Sequence, residues 1–215
     1  DGRPILAWTT QQHGVYMYWD IHYALGSVGG EKWSAPGGVA LDVPIVVDDS
    51  GPAPRVSLDD EFEAHTWLSS FVVHGGKAHF MYLAQTESPR EHYVRVDLET
   101  GNIERRVQPR FGGETLEIRS LDGFFVKGPG AELFAVGSNG GRVVCLRSGD
   151  NGDTWEDFAG SEGTYNVYSL GGSRTLADDG AILGTFTDQR GSNADTARES
   201  RVHFFRIPTR AGATR

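Results

Sequence analysis

Apolar residues along this chain come in short runs, and a Gly, Asn or Asp turn breaks each run before it reaches helical length. The runs are Ile5 to Thr10, Val15 to Leu25, Val43 to Val47, Leu68 to His74, Ala78 to Ala84, His92 to Leu98 and Ile103 to Val107. They continue with Gly123 to Lys127, Glu132 to Val136, Arg142 to Arg147, Tyr165 to Leu170, Ala181 to Phe186 and Arg201 to Ile207. Between them, His74-Gly-Gly-Lys77, Thr100-Gly-Asn102, Asn139-Gly-Gly141 and Asp178-Asp-Gly180 carry hairpin chemistry, because these residues accept the backbone angles that tight turns need. The pattern predicts an all-β chain of antiparallel hairpins. Two stretches fall outside it. Ser57 to Thr66 lacks Gly and Pro and offers Ser57 as an N-cap before acidic residues, so it reads as one short helix or an ordered loop. Gly191 to Ser200 is polar and small, and reads as a loop between two strands.

The runs also repeat. An apolar run, a Gly-containing turn, a second run and a third follow one another four times, with the second runs beginning near Ile5, Ala78, Glu132 and Ala181. Their separations are 73, 54 and 49 residues. That is close to the ~40 to 50 residues of a four-stranded propeller blade, the first interval being lengthened by an insertion over 48–66. The expected architecture is one β-propeller portion over 1–215, with blades near 1–50, 66–110, 117–160 and 163–210. Asp1-Gly2 running straight into Pro4-Ile-Leu-Ala-Trp8 reads as the second half of a hairpin, so the chain is expected to be a piece of a longer protein.

Composition sharpens this reading. With 29 Gly and 9 Pro the chain is poorly suited to long helices, and the glycines fall at the hairpin turns. Hydrophobic residues at 38% and aromatics at 11% supply a core, and no run approaches the ~18 apolar residues of a membrane-spanning helix. A soluble protein is expected. The net charge of −9 disfavours a nucleic-acid partner, since such a surface repels phosphate backbones. The single cysteine, Cys145, allows no intrachain disulfide and reads as a buried strand residue.

One motif is specific. Ser148-Gly-Asp-Asn-Gly-Asp-Thr-Trp155 fits S-x-D-x-G-x-T-W at every specified position. The Asp carboxylate and Ser hydroxyl bond turn backbone, Gly supplies a positive φ, and Trp packs the turn against its sheet. Ser148, Asp150, Gly152, Thr154 and Trp155 are therefore read as structural. A worn copy at Gly26-Ser-Val-Gly-Gly-Glu-Lys-Trp33 keeps only the Gly30 and Trp33 positions, and Asp97-Leu-Glu-Thr-Gly-Asn102 has lost the motif.

The chain thus resembles the Asp-box, or BNR-repeat, β-propellers, the architecture of sialidases and of several polysaccharide lyases and glycosidases. Tyr168-Ser-Leu-Gly-Gly-Ser-Arg-Thr-Leu-Ala-Asp-Asp-Gly-Ala-Ile-Leu-Gly184 looks like a sialidase's closing blade. The resemblance implies Tyr168 as nucleophile, Asp188 where the family has a Glu, and Arg174 among the substrate-binding residues. Phe205-Arg-Ile-Pro208 spells the family's arginine-bearing tetrapeptide, though at the last strand instead of the start of the domain. The resemblance implies a C-terminal portion of a secreted, periplasmic or envelope-associated enzyme, completed by N-terminal blades or another chain.

Propeller topology also nominates residues directly, because loops entering the first strand of a blade and loops joining its second and third strands meet on one face. They nominate His13, His65, Trp67, Arg90, His92, Tyr165, Tyr168, Asp188 and Arg190. Aromatic planes suit sugar rings, Arg suits a carboxylate, and His with Tyr suits proton transfer. Two chemistries fit. Sialoside hydrolysis needs an arginine cluster and an activated Tyr, whereas elimination on a uronic-acid polysaccharide needs a base, an acid and a cation, for which His65, a Tyr and an Arg serve. A non-catalytic module binding glycan or protein is the alternative. His22, His79 and His203 read as structural, and no His pair has zinc-ligand spacing. No cofactor is expected; the acidic loops would admit a structural calcium ion, but no ligand spacing specifies one.

Overall fold

The computed structural model describes residues 2–12, 17–45, 47, 51–62, 64–118, 122–190 and 199–209. Among them β-strands carry almost all regular structure, and only two three-residue 3-10 turns interrupt them. The chain divides into two compact units, Asp1–Val107 and Gln108–Arg215.

The first unit holds two four-stranded antiparallel sheets in sequential order. One contains β1 (Ile5–Gln12), β2 (Met17–Gly26), β3 (Trp33–Ser34) and β4 (Ala40–Leu41). The other contains β5 (His65–His74), β6 (Lys77–Gln85), β7 (Arg90–Asp97) and β8 (Ile103–Val107). Register explains the core. Phe71 lies opposite Phe80, and Phe80 opposite Val94, so the middle of one face of the second sheet is apolar and packs with Ile21, Tyr23 and Val56. Each such large side chain removed from water contributes about 1.5–3 kcal/mol. The β1–β2 register shifts between Thr9 and Thr10, leaving Asp20 as an extra residue with φ 53. This bulge is held by the Ser57 hydroxyl, which donates to Asp20 at 2.9 Å.

The second unit begins with a small ribbon of β9 (Arg110–Phe111) and β10 (Glu114–Thr115). A four-stranded sheet follows, made of β11 (Phe124–Lys127), β12 (Leu133–Asn139), β13 (Arg142–Ser148) and β14 (Glu156–Gly160). The last sheet has three strands, β15 (Val167–Gly172), β16 (Ala181–Arg190) and β17 (Glu199–Pro208). Phe124, Phe134, Val136, Cys145, Val167, Ile182 and Phe186 form the core. Two strand glycines are sterically required: a Cβ at Gly172 would run into the Phe124 ring, and one at Gly184 into Phe205.

The expected all-β class of four-stranded antiparallel blades is observed, with local departures. Val43–Pro44 is in no strand, because Pro44 has no N–H to give a ladder and Val43 is exposed. Of the Ser57 to Thr66 stretch, residues 57–62 form an ordered loop with one 3-10 turn over Asp59–Glu61, His65 and Thr66 open β5, and residue 63 lies outside the described residues. Ser57 caps nothing there, since its hydroxyl serves Asp20 and the Ile21 N–H. Of the expected 191–200 loop, residues 199 and 200 belong to β17 and the remainder lies outside the described residues.

Candidate functional site

At the end of the second sheet where β5 begins and β6 ends, three rings form a half-buried shelf. Tyr18 packs against Trp67 with centroids 4.5 Å apart and planes tilted by 35°, and His65 stacks on Trp67 at 5.7 Å with planes 16° apart. Strand alternation produces this, as His65 and Trp67 are two apart on β5 and share a face. Trp67 Nε1 donates to Gln85 Oε1 at 3.3 Å, which fixes the indole. The Tyr18 backbone N–H donates to His65 Nδ1 at 3.3 Å. An Nδ1 that accepts a hydrogen bond carries no proton, so the neutral imidazole holds its proton on Nε2 and presents a donor there.

Arg90 and His92 lie on the opposite face of the same sheet. The register pairs Ala84 with Arg90 and Tyr82 with His92, whereas His65 pairs with Gln85 and Trp67 with Leu83. On that face a carboxylate organises everything. Glu61, 0% exposed, accepts His92 Nε2 at 2.6 Å, the Tyr82 hydroxyl at 2.9 Å and the Leu58 N–H at 2.9 Å. Arg106 donates to the Tyr82 oxygen at 2.6 Å and to the Val56 carbonyl at 2.5 Å. Arg90 reaches Asp60 at 3.0 Å and lies 3.8 Å from Glu61. Burial pushes the Glu61 carboxyl up, but bonds from His92, Leu58 and Tyr82 outweigh it and hold the group below its usual range. Burial pushes the Tyr82 phenol far up, so it stays a neutral donor. His92 is therefore a ligand of Glu61 beneath the surface, and this network fastens the 57–62 segment to the sheet. The same segment brings Phe62 onto Trp19, with centroids 5.1 Å apart.

In the second unit, Tyr168 and Asp188 are not brought together. Tyr168 pairs with Thr187 and is 45% exposed, while Asp188 pairs with Val167, is 4% exposed and accepts the Asn166 N–H at 2.9 Å. Neighbouring positions on paired strands point to opposite faces, which separates the two side chains. Tyr165 turns inward, edge-on to Phe186 at 5.0 Å and 5.0 Å from the His203 ring. Arg174 is exposed, and its carbonyl accepts the Lys127 N–H. Arg190 ends β16; its side chain and all of His13 lie outside the described residues.

The Ser148–Trp155 turn closes as its residues require. Asp150 Oδ1 accepts the Asp153 and Thr154 N–H groups at 3.0 and 2.9 Å, and Oδ2 accepts the Thr154 hydroxyl at 2.6 Å. The Ser148 hydroxyl donates to Asp150 at 2.8 Å and accepts the Gly152 N–H at 2.7 Å. Cys145 is buried, and burial pushes its thiol up. Groups of three or more His, Cys, Asp or Glu able to hold a metal do not occur among the described residues, nor does any helix long and apolar enough to cross a membrane.

Tyr18, Glu61 and Gln85 were not nominated from sequence. Gln85 pairs with the nominated His65 and was within reach of strand-pairing logic. Tyr18 and Glu61 act through contacts that only tertiary structure creates.

No protein-family profile matches the chain, and no curated protein matches it in sequence. Solved structures do share the fold. A polysaccharide lyase described as a PL25 ulvan lyase, bound to -[GlcA(1-4)Rha3S]-, superposes with a TM-score of 0.58 at 13% identity, covering 96% of this chain and 52% of that one. The polysaccharide lyase Uly1 superposes with a TM-score of 0.64 at 11% identity, covering 96% of this chain and 43% of that one. The chain thus spans about half the length of the structures it resembles.

Proposed function

We propose that this chain is a portion of a carbohydrate-active, Asp-box type β-propeller, its sheets serving as consecutive blades, and that the whole protein acts on an acidic glycan by elimination at a uronate. The observation that carries the reading is the His65 arrangement, an imidazole stacked on an aromatic shelf and held by Tyr18, its donor nitrogen without a partner among the described residues. Trp67 and Tyr18 would take the apolar face of a sugar ring, and His65 Nε2–H would donate to the substrate carboxylate or the leaving oxygen, while a base elsewhere in the whole protein takes the C5 proton. With Nδ1 accepting from Tyr18, His65 serves as donor and not as the base its position in the sequence suggested. Arg90 is engaged by Asp60, so His65 is the donor that the shelf itself offers. The fold shared with lyases of glucuronate-containing glycan supports the substrate class, and a secreted or envelope location goes with it.

Elimination is favoured over sialidase-like hydrolysis because the nucleophile candidate Tyr168 and the carboxylate Asp188 occupy opposite faces of their sheet. The test is activity of the full protein on a panel of uronate polysaccharides and sialosides. Elimination creates a C=C bond conjugated to the carboxylate, so ultraviolet absorbance rises only on uronate polymers. His65→Ala is expected to lower that rate by about 10²–10⁴-fold, while Tyr168→Phe leaves it unchanged. Sialic acid release abolished by Tyr168→Phe would establish hydrolysis instead. Binding to glycan without turnover would mark a non-catalytic module.

A further inference from the structure

The edge of β2 away from β1 breaks step once. The Tyr23 N–H donates to the Pro54 carbonyl at 3.3 Å and the Ile21 N–H to the Ser57 hydroxyl at 3.2 Å, two residues apart, as donors on one strand edge must be. The next donor on that edge is the Tyr18 N–H, on His65 Nδ1, and it lies three residues from Ile21. Pairing with β1 agrees, since Thr9 lies opposite Ile21, Thr10 opposite Trp19 and Gln11 opposite Tyr18, which leaves Asp20 without an opposite number. Side chains follow the same shift. Ile21 and Tyr23 pack on the core of the second sheet, and in an unbulged strand Trp19 would face that way and Tyr18 the other. With the extra residue, Tyr18 lies on Trp67 and Trp19 against Phe62.

Two buried polar residues hold this offset. Asp20 takes φ 53, a left-handed conformation that Asp tolerates better than most residues other than glycine. The Ser57 hydroxyl donates to Asp20 Oδ1 at 2.9 Å while accepting the Ile21 N–H, so it stands where a neighbouring strand would place a carbonyl. The Arg55 guanidinium lies 3.6 Å from the same Asp20 oxygen. These bonds run among Asp20, Ile21, Arg55 and Ser57, so the pair acts on the shelf through the course of β2.

We infer that Asp20 and Ser57 are positioning residues for the His65 shelf, holding the one-residue offset that delivers Tyr18 instead of Trp19 to Trp67. In the competing register Thr10 lies opposite Asp20 and Gln11 opposite Trp19. The same backbone position then still offers an N–H to His65, but an indole replaces the phenol ring against Trp67 and Tyr18 turns to the other face. The offset therefore sets the shape of the platform under the sugar and leaves the His65 donor alone, which makes the pair a determinant of substrate fit. This role rests on the proposal that the shelf takes a sugar ring; the choice of register does not.

Nuclear Overhauser contacts between the Tyr18 and Trp67 rings, recorded on the intact chain, report the register without reference to activity. Ser57→Ala should weaken them and bring in contacts between Trp19 and Trp67. On uronate polymer the KM of the full protein should then rise about fivefold with kcat unchanged, the size of one altered aromatic contact. Mere loss of folded protein would instead lower kcat and leave KM alone. Deleting Asp20 from the Ser57→Ala chain sets Tyr18 two residues from Ile21 in a regular strand, so it should restore both the ring contacts and KM. That double variant needs no bulge and decides the matter even where Ser57→Ala alone does not fold. Asp20→Asn accepts a positive φ and keeps an oxygen for the Ser57 hydroxyl, and should match wild type. Undiminished Tyr18–Trp67 contacts in folded Ser57→Ala would overturn the inference, as would their absence from the deletion variant. An unchanged KM in a chain whose contacts had shifted would overturn the role in substrate fit. Contacts that shift and return as described, in a protein that leaves uronate polymers intact, would uphold the register choice and sink the elimination.

Discussion

Two carboxylates in this molecule do the same job by opposite means. Asp150 holds a turn together using donors no more than four residues away, and it sits at the surface. Glu61 holds a loop to a sheet using Tyr82 and His92, 21 and 31 residues away, and it is wholly buried. Each is kept ionised by hydrogen bonds that favour the charged form. The difference lies in what happens when the carboxylate is removed. At the surface, water replaces the lost acceptor. In the interior nothing does, and the donors are left unsatisfied in a medium where that is costly.

The contrast breaks most visibly with Glu61→Ala. This change leaves His92, the Tyr82 hydroxyl and the Leu58 N–H without their acceptor, and unfolding free energy should fall by about 3 kcal/mol, the scale of leaving several buried donors unsatisfied. Urea denaturation of the purified chain measures it. A loss of less than about 1 kcal/mol would mean that water reaches the site and that Glu61 behaves like Asp150. Tyr82→Phe sharpens the same point at smaller scale. It removes one donor to Glu61 and the oxygen that Arg106 bonds, and about 1.5 kcal/mol should be lost.

Asp150→Ala should cost about 1 kcal/mol, a turn cap with its donors returned to water. In a folded variant, glycan turnover by the full protein should be unchanged, since the Asp150 bonds all close within the octapeptide. Lost activity with intact folding would make the turn part of the site.

These two carboxylates also mark where sequence reading succeeds and stops. Ser148, Asp150, Gly152 and Thr154 find their partners inside one octapeptide, so the spacing alone dictates the geometry. Strands with Gly-rich turns at their ends were legible for the same local reason, as β6 and β13 illustrate. The two-residue strands β3, β4, β9 and β10 were not, because they exist only through the neighbour they pair with. Within the candidate site, His65 and Trp67 were legible as residues entering the first strand of a blade, and the structure makes them alternate residues at the start of that strand. Tyr18 was hidden because the bulge at Asp20 resets which β2 residues face which way, and Glu61 because its donors come from two other strands. His92 was placed at the surface by topology, whereas its ring is committed to Glu61.

The smallest effect isolates charge from shape at the turn. Slight burial pushes the Asp150 carboxyl up, but bonds from the Thr154 hydroxyl, the Thr154 and Asp153 N–H groups and the Ser148 hydroxyl outweigh it and bring it to about 2. A folded value below the unfolded value of about 3.9 means that the stabilisation is complete above pH 4 and is lost as pH falls through about 2. Asp150→Asn keeps one oxygen acceptor and removes the charge, so at neutral pH it should cost about 0.5 kcal/mol, discounted because the group is solvent-screened. As pH falls toward about 2, the wild-type carboxyl takes up its proton and the two proteins converge. Denaturation curves for both, collected from pH 6 downward, read this directly. A difference that persists undiminished in acid would show that the oxygen's position, not its charge, holds the turn.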